Sequence, residues 1–234
     1  MTNGTIYLSS PVNALVEGIY EQNISFREVK KHGDFGLGTF NDLDGEMVMV
    51  DGNVYQVTAM GDVNLIGEEA LTPFSCVSFY EAMTTDTLVG ETCHDDFMKW
   101  LNSLLPSANI FYAVKVEGVF ADVRTRSVPK QYNYRPFVDV AKEQSVFHFS
   151  EIEGILAGFY TPSFMSSVNV PGWHLHFLSS DMKHGGHLLE CRPRTISAGV
   201  QFLHTLKLAL PISLDYLTCD FVRDTVDDLN KAEK

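Results

Sequence analysis

Along most of this chain apolar and polar residues alternate with the period of strands, and only a few segments show helical recurrence. Val12, Leu15, Val16, Ile19 and Tyr20 recur at helical spacing and predict a helix. Ser25 followed by Glu28 is a capping-box pattern for a second, short helix that Gly33 ends. From Gly36 the texture is that of strands, predicted over residues 36–40, 46–50, 54–57 and 74–80. The Asp51-Gly52 dipeptide marks a tight hairpin between the second and third of these. Thr92 and Asp95 cap a helix that places Phe97, Met98, Leu101, Leu104 and Leu105 on one side, and Pro106 stops it. Residues 110–116 and 119–126 read as paired strands with Gly118 at the bend. Further strands are predicted over 146–149, 154–160, 173–178, 187–191, 195–203 and 216–221, with a closing helix over 224–231.

Many strands and few short helices define an α+β chain with mixed or antiparallel, β-rich sheets. Residues 128–136 are irregular and carry a proline at each end of Pro129–Pro136, the best boundary between halves. The expected division is an N-terminal α/β half with a mixed sheet over residues 1–130 and a β-rich half over 131–234.

Histidine is the informative residue. Of eight in the chain, His174, His176, His184 and His187 fall in one short stretch. Residues two apart on a strand point to the same face, so His174 and His176 project together while Leu175 and Phe177 face the core. A polar, glycine-ending loop then turns the chain back, bringing His184 or His187 opposite the pair. Three imidazoles with an open coordination position are the donor set of a catalytic metal rather than a structural one, and suit zinc, iron, copper or nickel. Spacing alone does not choose between His184 and His187.

Composition narrows the partners. The 234 residues are 45% hydrophobic and 20% charged, ordinary for a globular chain. A net charge of −13 opposes unaided binding to nucleic acid or anionic membranes, and obliges an anionic substrate to find a local positive group. No apolar run reaches the length of a membrane span, and no secretory signal pattern is visible. Cys76, Cys93, Cys191 and Cys219 are scattered without a metal or disulfide spacing, which fits buried thiols in the cytoplasm. Among polar residues, Glu46 opens a strand after a tight turn, and Arg124 and Arg126 share a strand face where either could clamp a carboxylate.

Four separated segments then carry a resemblance. They are residues 32–46 (HGDFGLGTFNDLDGE), 125–131 (TRSVPKQ), 172–177 (GWHLHF) and 185–189 (GGHLL). In this order the chain resembles the α-acetolactate decarboxylase family over almost its full length. That resemblance implies zinc ligation by His174, His176 and His187, with His184 outside the set. It implies catalytic roles for Glu46, Arg126 and a C-terminal glutamate best matched by Glu233, with Thr39 and Arg126 binding substrate. It also implies two halves with the metal site between them and a homodimer.

The implied reaction is decarboxylation of 2-acetolactate to acetoin and CO₂. Loss of CO₂ from this β-keto acid leaves an enediolate. A zinc ion chelating the ketone and hydroxyl oxygens would stabilise it, so no organic cofactor is required. A carboxylic acid then returns a proton to carbon. Two rival readings are a cupin-like oxygenase or isomerase, which also presents His-x-His on a strand, and a non-catalytic metal-binding domain.

Overall fold

The computed structural model describes residues 4–133 and 135–222; Glu233 and the helix expected over 224–231 lie outside them. The chain runs β1 (Thr5–Leu8), α1 (Val12–Val16), α2 (Phe26–Val29), β2 (Phe35–Thr39), β3 (Glu46–Val50), β4 (Asn53–Val57), β5 (Val63–Ile66), β6 (Ser75–Ser78) and β7 (Thr84–Val89). It continues through α3 (His94–Ser103), β8 (Phe111–Ser127), α4 (Phe137–Val140), β9 (Ser145–Thr161), β10 (Gly172–Ser179), β11 (Gly185–Leu203), β12 (Thr205–Leu208) and α5 (Leu214–Thr218). These strands form two sheets, a β-rich architecture with few short helices as the residue pattern predicts.

The first sheet has the order β12-β1-β6-β2-β3-β4-β5, antiparallel except where β1 and β12 run parallel. The second has the order β10-β9-β8-β11-β7. In it β10 also pairs with β11 at His176↔His187, Phe177↔Gly186 and Leu178↔Gly185, so β8, β9, β10 and β11 close on themselves. A large apolar cluster fills the space between the sheets, with Leu37, Val48, Val50 and Cys76 from one and Ala113, Phe159, Leu178 and Leu203 from the other. A second cluster packs the far face of β8–β11 against Phe97 and Leu101 of α3. Each fully buried large side chain contributes ~1.5–3 kcal/mol.

Several segments differ from expectation. The segments 110–116 and 119–126 fall on one continuous strand, β8 (Phe111–Ser127), rather than a hairpin. Gly118 does not turn the chain; its φ of 146° lets the backbone pass where a Cβ would lie 2.2 Å from the carbonyl oxygen of Thr195. The segments 146–149 and 154–160 are likewise one strand, β9, and 187–191 and 195–203 are one strand, β11, bent by register shifts beside Pro193. Long partners on both sides supply a continuous ladder, so local breakers become bulges. The helix expected through Tyr20 stops at Val16, because Gly18 takes a φ of 84°. Ser25 is the N-cap residue of α2 but makes no side-chain cap bond. Residues around Tyr216 are the helix α5, not a strand, with the Ser213 side chain accepting from the Tyr216 backbone N–H. Strands β5, β7 and β12 are not foreseen from the residue pattern.

Among the described residues no helix is long and apolar enough to cross a membrane.

Candidate metal centre and active site

Alternation on β10 places His174 and His176 on the face toward the first sheet, while Leu175 and Phe177 join the apolar cluster behind. The pairing His176↔His187 sets the third imidazole beside them from β11. The three rings lie with centroids 5.0, 5.0 and 5.3 Å apart, all buried. One nitrogen from each falls within 4.8 Å of the others. His184 is not part of this group: its ring packs on Phe149 at 4.8 Å.

Two observations fit the cluster to a divalent metal. His176 places Nδ1 at 2.8 Å from the backbone carbonyl oxygen of Met47; a carbonyl only accepts, so Nδ1 carries the proton and Nε2 keeps its lone pair. That Nε2 lies 3.2 Å from Nε2 of His174. Tetrahedral zinc–nitrogen bonds of about 2.1 Å would set neighbouring donors about 3.4 Å apart, close to this spacing. Burial, with Arg126 adding to it, pushes the pKa of His174 down to about 3. Burial and the neighbouring His174 hold His176 well below the usual histidine range. Both rings are therefore neutral ligands at any ordinary pH.

The first sheet supplies an opposing carboxylate, and the second adds a guanidinium. Glu46 shares the inward face of β3 with Val48 and Val50, and places Oε2 at 3.5 Å from Nε2 of His176. Arg126 enters from β8, where it pairs directly with His187, and its Nη1 donates to Glu46 Oε1 at 3.0 Å. Their side chains are only 2% and 7% exposed, so this is a desolvated ion pair whose members each depend on the other. Arg124, two residues earlier, is half exposed and pairs with Glu190 on the surface. Thr39 pairs with Glu46 in the β2–β3 ladder, and its hydroxyl donates to the Gly45 carbonyl at 2.7 Å, leaving the oxygen able to accept.

Together Thr39, Glu46, Arg126, His174 and His176 form the polar floor of a cavity walled by Val12, Leu15, Leu43, Phe74, Val128 and Phe137. A larger hollow of about 780 Å³ elsewhere is lined by Glu17, Glu21, Asp42 and Asp215. Its lining is rich in carboxylates and holds no histidine, unlike that of the smaller cavity. Sequence reading missed two contributors. The Met47 carbonyl has no side-chain signal, and the apolar wall from α1 and α4 becomes apparent only once the helices dock.

Neutral imidazoles that can hold a cation, set beside a buried carboxylate and a guanidinium, define a small-molecule enzyme rather than a closed structural site. A family-wide sequence profile described as Alpha-acetolactate decarboxylase matches residues 6–223. The Alpha-acetolactate decarboxylase of Methanosarcina mazei is 39% identical over 230 residues, which cover 98% of this chain and 80% of that one. That of Brevibacillus brevis is 35% identical over 229 residues, covering 97% and 80%. The crystal structure of alpha-acetolactate decarboxylase from Bacillus subtilis strain 168 superposes with a TM-score of 0.95 at 32% identity, over 98% of this chain and 99% of that one. The chain belongs to the alpha-acetolactate decarboxylase family, and is a carboxy-lyase.

Proposed function

We propose that this protein decarboxylates 2-acetolactate to acetoin and CO₂, with zinc held by His174, His176 and His187. The observation that carries the reading is that the buried imidazole cluster adjoins the buried Glu46–Arg126 pair, with Glu46, Arg126, His174 and His176 lining one cavity. When bound, zinc supplies Lewis acidity toward oxygen donors and toward developing negative charge.

The chain's own groups do the rest. Arg126 provides the local positive charge that the net −13 makes necessary, and its planar five-donor fork orients the substrate's carboxylate or hydroxyl. Glu46 fixes that fork by accepting from Nη1. Loss of CO₂ moves an electron pair onto the ketone oxygen; one proton must then reach the carbon that held the carboxylate. Glu46 and Glu233 are the proposed carboxyl groups for donating that proton and for orienting the hydroxyl. Thr39 offers its hydroxyl oxygen as an acceptor on the cavity floor. The walls from Leu15, Leu43, Phe74 and Phe137 exclude water and lower the local dielectric, which strengthens each charge interaction inside.

Two further expectations belong here. Cys76, Cys93 and Cys191 are free thiols, which supports a cytoplasmic location. Leu210, Ile212, Leu214 and Leu217 are largely exposed along one segment, which supports a homodimer that covers them. Sedimentation at twice the chain mass would bear this out, and a monomer at micromolar concentration would oppose it.

The test of the reaction is incubation of purified protein with racemic acetolactate. Equal amounts of acetoin and CO₂ are expected; consumption of O₂ would favour the oxygenase reading instead.

A further inference from the structure

His187 opens the long β8–β11 ladder, and the two residues before it have no partner in that ladder. His174 and His176 sit on a strand held by eight residue pairs to β9. The β10–β11 ladder that brings His187 to them has only three pairs and ends at His187 itself. The residues just before it are Gly185 and Gly186, the most permissive backbone available. Gly186 has a φ of 127°, and a Cβ there would lie 2.6 Å from the Arg126 carbonyl oxygen and 3.1 Å from the Thr125 hydroxyl. At Gly185 a Cβ would lie 2.7 Å from the Phe177 carbonyl oxygen and 2.9 Å from a Val57 methyl. The glycines allow β11 to be pressed against β8 and β10 at this point, and being glycines they cannot hold it there.

One side chain can. Thr125 is fully buried, and its hydroxyl donates to the Gly185 carbonyl at 2.8 Å, tying β8 to the first residue of β11. The next residue on β8, Arg126, pairs with His187. We propose that Thr125 is a positioning residue: its bond to the Gly185 carbonyl fixes the Gly185–Gly186 step so that the His187 ring converges on His174 and His176. Thr125 is not itself among the residues lining the cavity; it acts through the backbone it anchors. This role rests on the three histidines holding a metal, the reading proposed above.

The experiment compares Thr125→Val, Thr125→Ala and Thr125→Ser with the unaltered chain. Valine keeps the shape and removes the donor, alanine removes the donor with no risk of overpacking, and serine keeps the hydroxyl. Zinc affinity of metal-stripped protein is measured by competition with a chromophoric chelator, and site geometry by the visible spectrum of the cobalt(II)-loaded protein. Groups that orient metal ligands typically account for about 10–100-fold in metal affinity. Thr125→Val and Thr125→Ala are expected to bind zinc at least about tenfold more weakly with an altered cobalt spectrum, while Thr125→Ser stays close to the unaltered chain. Wild-type affinity in either donor-less variant, even with a lowered melting midpoint, reduces Thr125 to a purely structural part and overturns the proposal. So does a Thr125→Ser variant as weak as Thr125→Val. His187→Ala is the control: if it binds zinc as tightly as the unaltered chain, the metal reading itself is wrong, and the positioning role goes with it.

Discussion

Replacing Glu46 by glutamine tests the buried ion pair and the chemistry at once. At the observed 3.0 Å between Arg126 Nη1 and Glu46 Oε1, an effective dielectric of about 20 gives a gross attraction of about 5 kcal/mol. Desolvation offsets much of that in the intact pair, but removing one charge leaves the other uncompensated, which costs about 3–5 kcal/mol. The glutamine oxygen still accepts from Nη1, and a neutral hydrogen bond returns about 1 kcal/mol. The expected net loss is about 3 kcal/mol. For a chain of 234 residues, that is a melting midpoint lowered by roughly 6–12 °C. Turnover is expected to fall by at least about 100-fold, the lower end of what positioned proton transfer contributes. Zinc content should hold, because the three imidazoles remain. The measurements are a thermal melt of the metal-free protein, zinc per chain after reconstitution, and initial rates of acetoin formation. A Glu46→Gln variant with unchanged turnover would refute a catalytic Glu46. An unchanged melt would refute the desolvated pair.

Much of this site was legible because its signals are local. The two-residue spacing of His174 and His176 reads directly as a shared strand face, and the structure places both rings on it. The choice of His187 over His184 came from the likeness of the Gly-Gly-His segment to the family. The structure brings His187 into the cluster and sends His184 to the Phe149 ring. The Glu46–Arg126 pair was not legible, since nothing in either segment announces an ion pair between residues 80 positions apart. The least legible features depend on long-range pairing. Gly118 and Pro193 resemble strand ends, yet β8 and β11 pass through them because each finds a continuous partner. β1 pairs in parallel with β12, which follows it by some 200 residues, and no local pattern encodes that choice.

Other expectations follow from the same geometry. His174 has its pKa pushed down to about 3 in the fold, against 6.5 as its ordinary value, and His176 is depressed as well. Below pH 6.5 the unfolded chain therefore binds protons that the folded chain refuses. Metal-free protein should lose stability as pH falls from 6.5 toward 3, approaching about 1.4 kcal/mol per pH unit for each such histidine. Urea melts at pH 7.5 and 5.5 would expose the error if stability were equal at both. His187→Ala should lose zinc stoichiometry and His184→Ala should keep it, and metal analysis giving the reverse would show the third ligand to be misassigned. Gly158→Ala should destabilise the fold by about 3 kcal/mol, since its Cβ would lie 2.1 Å from the His174 carbonyl oxygen. A denaturation midpoint unmoved by that change would contradict the close β9–β10 approach.

The central claim is that three buried imidazoles hold the cation on which decarboxylation depends. Its most direct test is to strip the protein of metal with a chelator, dialyse, and assay acetoin from racemic acetolactate before and after adding one equivalent of zinc. The account predicts no acetoin above the uncatalysed background without metal and recovery of the original rate with it. Full activity in protein shown by elemental analysis to be metal-free would contradict it.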